Sequence, residues 1–117
     1  MGHIDKPTFH KILEKCKRKQ DRPRVYIETG VNTGNQIAVA MEVFELCYGV
    51  ELSSYFYYKA VQRTGLSTIT LGDSRNFVKK MAEEITEPCF WVLDAHYYDT
   101  TPPEPKYHLA PCRSGMN

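Results

Sequence analysis

Four acidic residues each follow a short apolar stretch, in the pattern expected where the strands of a parallel sheet end. They are Glu28, Glu51, Asp73 and Asp94. In an open α/β sheet the ligand lies beyond the carboxyl ends of the strands, at the point where the strand order reverses. We therefore expect the four carboxylates to converge on one edge of a sheet and to form a binding site there.

A glycine loop follows the first of these acids. Residues 28–34 read E-T-G-V-N-T-G, with Gly30 and Gly34 on either side of Asn32. Glycine allows a tight turn and close approach of a ligand to the backbone, and the helix that follows offers unpaired N–H groups. The loop is therefore predicted to bind a polar or anionic cofactor. Its spacing differs from the G-x-G-x-x-G of dinucleotide enzymes, and the absence of G-K-[ST] excludes a P-loop.

Glu51 has two interpretations. It lies about twenty residues beyond the loop, where a carboxylate accepts hydrogen bonds from ribose hydroxyls in the nucleotide-binding βαβ unit. Alternatively, it stabilises the positive end of the following helix. Leu52, the next residue, belongs to the predicted cofactor-binding set.

Asp73 and Ser74 are also open to two interpretations. They could hold an adenine amino group, or Asp73 could cap the helix that begins there.

Asp94 and His96 stand at the end of the fourth strand pattern. Asp94 could orient a substrate amine or hydroxyl, or bind a divalent metal together with His96. His96 could be a general base, since its ordinary pKa lies near neutrality. The structural alternative is that Asp94 caps a turn and His96 is a loop residue.

The elements that position these residues alternate along the chain. A polar helix is predicted at 8–20, strands at 25–29, 48–52, 68–71 and 89–93, and helices at 36–47, 55–64 and from Phe77 to Ile85. Strands that alternate with helical crossovers imply a parallel sheet. We predict a three-layer α/β fold with strand order 3-2-1-4, an N-terminal helix and a proline-rich, irregular tail at 99–117. The strand at 89–93 is apolar enough to be buried on both faces.

Composition restricts the partners. A net charge of +1 argues against a general polyanion-binding surface, which makes nucleic acid an unexpected partner. The sequence shows no apolar run of membrane-spanning length and no signal-peptide core, so we expect a cytoplasmic protein. Cys47 and Cys89 are predicted to be reduced core residues, and the cysteine spacing does not suggest a zinc site.

The loop at 28–34, the G-V-E at 49–51, the G-D-S at 72–74 and the F-W-V-L-D-A-H-Y at 90–97 together resemble class I S-adenosylmethionine-dependent methyltransferases. The resemblance covers residues 24–98 and implies a Rossmann-like domain at 1–98. It also implies S-adenosyl-L-methionine as cofactor, bound by Glu28, Gly30, Asn32, Gly34, Glu51, Leu52, Asp73 and Ser74, with Asp94 and His96 as catalytic candidates. The expected acceptor is the hydroxyl or amine of a small molecule or sugar.

The chain departs from that family after the fourth strand, where class I enzymes normally continue through three more strands. An exposed sheet edge is therefore expected beside strand four, where the tail could cover it or a second copy could form a homodimer. The departure motivates two alternatives: a truncated or non-catalytic binding module, and, less favoured by the glycine spacing, an NAD-dependent oxidoreductase.

Overall fold

The structure is a computed structural model that describes residues 3–94 and 107–109. It contains helices α1 (Lys6–Leu13), α2 (Asn35–Ala40), α3 (Ser54–Thr64) and α4 (Ser74–Glu84), with a 3₁₀ turn at Lys19–Asp21. The strands are β1 (Val25–Thr29), β2 (Leu46–Glu51), β3 (Ile69–Leu71), β4 (Cys89–Leu93) and β5 (Tyr107–Leu109).

The strands form one sheet in the order β3-β2-β1-β4-β5. The pairs β1–β2, β1–β4 and β2–β3 are parallel, which confirms the predicted order 3-2-1-4. All five residues of β1 are buried, as expected for the central strand of a sheet covered on both faces.

Helices cover both faces of this sheet, which confirms the three layers. Alternate residues of β1 point to opposite faces: Tyr26 belongs to the core cluster that α1, α2 and α3 cover, whereas Val25 and Ile27 pack with Phe77 and Met81 of α4. In the first cluster the ring of Phe9 lies edge-on to those of its aromatic neighbours, with 5.2 Å between the centroids of Phe9 and Phe90. The N-terminal helix is therefore part of the core.

Helix α1 is shorter than predicted. It runs from Lys6 to Leu13 instead of spanning 8–20, and the chain continues to a 3₁₀ turn. Its start is set by Asp5, whose side chain accepts a hydrogen bond from the Thr8 amide at 2.9 Å. Phe9, Ile12 and Leu13 bury the apolar face of the helix; Cys16 is buried beyond its end, and Lys15, Lys17 and Lys19 are exposed.

The boundary between α2 and β2 was predicted wrongly. Helix α2 ends at Ala40, and Cys47, which was predicted to lie in that helix, belongs to β2. A short apolar run is compatible with either state, and here strand pairing decides. Leu46, Cys47 and Tyr48 align with the first three residues of β1.

Helices α3 and α4 are capped as their sequences indicate. The Ser53 hydroxyl accepts a hydrogen bond from the Phe56 amide, and α3 ends at Gly65 with φ 71°. Asp73 caps α4 through the Arg75 amide. These helices begin at Ser54 and Ser74, one and three residues before their predicted starts.

The tail provides a strand that was not predicted. Tyr107–Leu109 pairs antiparallel with β4, so the β4 edge that was expected to be exposed has a neighbour. Strand β4 itself is less buried than predicted, since Trp91 is half-buried and Leu93 is 44% exposed. The rest of the tail and the proposed boundary at residue 98 lie outside the described residues.

Two further predictions concern the state of the cysteines and the presence of membrane-spanning segments. Cys47 and Cys89 are buried free thiols, as expected, whereas Cys16 is disulfide-bonded. Among the described residues, no helix has the length and apolar character needed to cross a membrane.

Candidate functional site

A cavity of about 270 Å³ lies where β1 and β4 end, between the glycine loop and the N-terminal segment. Four of the predicted site residues line it: Glu28, Gly30, Asn32 and Asp94. The structure therefore brings together one acid from β1, one from the end of β4 and the loop between β1 and α2. The cavity also has walls that were not predicted, formed by His3, Ile4, Thr33, Asn35 and Gln36.

The loop is held in shape by left-handed backbone conformations. Gly30, Asn32 and Gly34 have φ values of 70°, 58° and 90°. The Gly30 and Val31 amides both donate to the Val50 carbonyl oxygen, at 2.9 and 3.1 Å. These bonds tie the loop to the end of β2. Asparagine, the residue at position 32, is among the residue types that most readily adopt a positive φ after glycine.

Close packing explains two of the glycines near this loop. A Cβ atom on Gly34 would lie 3.1 Å from the Cα atom of Ala60, because α3 passes directly beside the loop. A Cβ atom on Gly49 would lie 2.4 Å from Val31 Cγ2. Gly34 does not line the cavity; it brings the start of α2 against α3.

Glu51 supports the loop from β2. Its carboxylate accepts hydrogen bonds from the Asn32 amide at 2.6 Å and from the Ser53 amide at 3.0 Å. The hydrogen bond from the Ser53 amide agrees with the second interpretation, in which Glu51 stabilises the start of α3. Each carboxylate oxygen can accept more than one hydrogen bond, so ribose binding by Glu51 stays a prediction. Leu52 beside it is 75% exposed.

Asp73 acts as a helix cap in the structure. One carboxylate oxygen accepts from the Arg75 amide at 2.7 Å, and the other lies 3.2 Å from the Arg75 guanidinium. These hydrogen bonds lower the pKa of Asp73. Asp73 and Ser74 do not line the cavity, but the Gly72 amide donates to the Glu51 carbonyl oxygen, which ties their turn to the end of β2. The adenine role remains a prediction.

Glu28 is the most unusual acid of the site. It is only 2% exposed, and the Tyr26 hydroxyl donates to its Oε1 atom at 2.6 Å. Burial raises the pKa of Glu28 to about 8; the hydrogen bond from Tyr26 opposes this shift, and the negative charges of Asp94 and Glu51 add to it. Near neutral pH, Glu28 is therefore mostly a neutral carboxylic acid that lines the cavity.

Asp94 is positioned by the central strand. Its amide donates to the carbonyl and hydroxyl oxygens of Thr29, at 3.2 and 3.0 Å. Its partner in the predicted catalytic pair, His96, lies outside the described residues. Within the described residues no group of three or more His, Cys, Asp or Glu side chains could hold a metal ion.

The N-terminal wall could not have been predicted from local sequence. Gln36 makes two hydrogen bonds with the main chain of Ile4: its Oε1 atom accepts from the Ile4 amide at 2.7 Å, and its Nε2 atom donates to the Ile4 carbonyl at 2.8 Å. These residues are 32 positions apart. No motif or periodicity connects them, since the contact depends on how α1 packs on the sheet.

One comparison with known proteins found a match. The chain is similar to a solved structure of an RNA methyltransferase from Salinibacter ruber in complex with S-adenosyl-L-homocysteine, with 13% identity and a TM-score of 0.44. The match covers 82% of this chain and 81% of that chain. No protein-family model and no curated protein matches the sequence.

Proposed function

We propose that this protein binds S-adenosyl-L-methionine and transfers its methyl group to a hydroxyl or amine of a small molecule or sugar. The observation that carries the proposal is the cavity at the ends of β1 and β4, where the glycine loop, Glu28 and Asp94 meet. In open α/β sheets this is the place where cofactors bind.

The residues present fit such a cofactor. Glu28 and Asp94 line the cavity: the Asp94 carboxylate suits the ammonium and sulfonium groups of the cofactor, and the neutral Glu28 carboxylic acid can donate a hydrogen bond. Glu51 would accept hydrogen bonds from the ribose, with Leu52, Asp73 and Ser74 on the adenine side. The cavity of about 270 Å³ is near the lower limit for small-molecule sites, so the cofactor would also extend over the exposed surface of Leu52.

The bound cofactor supplies an electrophilic methyl group, and the chain's own residues would position the acceptor. Asp94 lines the cavity on a backbone fixed by two hydrogen bonds to Thr29. Its carboxylate would orient an acceptor hydroxyl or amine and receive its proton. His96 is the second candidate for this base.

The test is calorimetric titration of the purified chain with S-adenosyl-L-methionine, S-adenosyl-L-homocysteine and NAD. We expect micromolar binding of the first two and none of NAD. Binding of NAD alone would favour an oxidoreductase, and binding of the first two without methyl transfer to any acceptor class would favour a non-catalytic binding module.

A variant tests the ribose assignment. Glu51→Ala should weaken binding of S-adenosyl-L-homocysteine by about tenfold or more, because hydrogen bonds to a charged group contribute about 1.5–3 kcal/mol. Glu42→Ala is the control, since Glu42 is an exposed glutamate in a surface ion pair with Lys6. Unchanged affinity in a folded Glu51→Ala variant would show that the ribose assignment is wrong.

A further inference from the structure

We propose that Gln36 is a positioning residue that holds His3 and Ile4 in place as one wall of the cofactor cavity. The inference rests on the proposed function and adds to it a residue that sets how firmly the cofactor is retained. Gln36 is the second residue of α2, just after the glycine loop. It lines the same cavity as His3 and Ile4.

The Gln36 side chain makes the same two hydrogen bonds with the main chain of Ile4 that a residue of a neighbouring strand would make. The Gln36 amide group donates to and accepts from the main chain of the same residue, Ile4, at 2.8 and 2.7 Å. A hydrocarbon side chain at this position could make neither bond. Both main-chain groups of Ile4 are thereby satisfied by a residue at the mouth of the predicted cofactor site.

The segment is fixed at its other end as well. Asp5 caps α1, and Phe9 of that helix is fully buried in the aromatic core. The Ile4 side chain packs against the same core cluster. The segment is thus anchored by α1 and by the Ile4 side chain, and Gln36 fixes the main chain of Ile4 beside the cavity.

Two neutral hydrogen bonds hold this wall with moderate strength. Loss of the bonds would therefore leave the core intact but loosen the main chain of His3 and Ile4 beside the cavity. The main consequence expected is faster dissociation of the cofactor, because affinity differences between related complexes arise mostly in the dissociation rate.

The experiment compares the full chain with Gln36→Met, which keeps the length and apolar stem of the side chain but removes both hydrogen bonds. We expect amide exchange at Ile4 to accelerate about tenfold and the dissociation rate of S-adenosyl-L-homocysteine to rise by a similar factor. The melting temperature without ligand should stay close to that of the unmodified chain. Gln62→Met is the matched control, because Gln62 is an exposed helical glutamine that does not line the cavity.

A double-mutant cycle separates positioning from a local effect on α2. Ile4→Pro removes the Ile4 N–H group, and so breaks from the other side the hydrogen bond to Gln36 Oε1, together with the packing of the Ile4 side chain. The effects of Gln36→Met and Ile4→Pro on dissociation should add to less than their sum, since the bond to Gln36 Oε1 is lost in both variants. Additive effects would overturn the inference.

The inference and the proposed function fail in different ways. If the unmodified chain binds S-adenosyl-L-homocysteine and Gln36→Met releases it at the same rate, the inference alone is wrong. If the unmodified chain binds neither methionine-derived ligand, the proposed function is wrong and the inference falls with it. Unchanged amide exchange at Ile4 in Gln36→Met would show that the contact does not hold the segment in solution.

Discussion

At the scale of single residues, Glu28 combines the features that most affect chemistry at this site. It is buried at the end of the central strand, it accepts a hydrogen bond from Tyr26, and Asp94 and Glu51 lie close enough to influence its titration. The cavity that Glu28 lines is also lined by His3. A carboxyl group of this kind is neutral near neutral pH and can ionise when a cation binds beside it.

The pKa of Glu28 leads to a prediction about stability. Because its pKa rises from 4.5 to about 8 on folding, the folded state retains the proton between these values while the unfolded state loses it. Its contribution to stability is therefore fully present below pH 4.5 and is lost as the pH rises to 8. In Glu28→Gln, which has no proton to lose, we expect the free energy of unfolding to fall less between pH 5 and pH 8.5, by on the order of a few kcal/mol.

Urea denaturation at both pH values measures this difference. Glu83→Gln, at an exposed position of α4, should keep the pH dependence of the unmodified chain. Parallel pH profiles for the unmodified chain and Glu28→Gln would contradict the assignment of a raised pKa.

At the scale of elements, the glycine loop depends on how closely α2 and α3 approach each other. Gly34 lies where the backbone turns with φ 90° and where a Cβ atom would contact Ala60 of α3. Arg63 of the same helix donates from Nε to the Thr33 carbonyl oxygen at 3.1 Å. The loop predicted to bind the cofactor is thus supported by α3 and by Val50 and Glu51 at the end of β2.

Gly34→Ala should destabilise the fold more than Gly65→Ala. Both residues have positive φ, which costs an L-residue about 1–2 kcal/mol, but a Cβ atom on Gly65 would meet nothing within 4 Å. The clash with Ala60 adds about 1–3 kcal/mol for Gly34→Ala. Chemical denaturation of both variants measures the difference, and equal losses would show that α3 does not pack against the loop in solution.

At the scale of the whole molecule, the parallel strands β3-β2-β1-β4 are extended by one antiparallel strand, β5. Strand β3 ends one side, and β5 pairs antiparallel with β4 on the other. The homodimer predicted through the β4 edge would have to form where β5 now pairs. Self-association through that edge remains a prediction, and it depends on whether β5 stays in place.

Removing β5 from the sheet should promote self-association. Successive N–H groups along a strand point in opposite directions, so the double variant Tyr107→Pro/His108→Pro removes at least one N–H group that faces β4. An unpaired strand edge can pair with another chain. We expect the molar mass measured by size-exclusion chromatography with light scattering to rise with concentration more steeply than for the unmodified chain. A mass that is independent of concentration in the variant would contradict this role of β5.

The sequence by itself determined the elements whose signals are local. The bounds of β1 and β4 agree with those predicted, Ser53 and Gly65 mark the ends of α3, and alternation of strands and helices predicted the order 3-2-1-4. Apolar periodicity and capping chemistry can be evaluated within a short window of sequence, and the strand order follows from the alternation of these elements along the chain with right-handed crossovers. The acids at the strand ends were predictable for the same reason.

Only the tertiary structure decided the features that depend on contacts between distant segments. Pairing with β1 placed Cys47 in a strand instead of a helix, and pairing with β4 formed β5 within a proline-rich tail. Packing of α1 brought Ile4 to Gln36 and closed one side of the cavity. The raised pKa of Glu28 likewise follows from burial, which no residue type or spacing specifies.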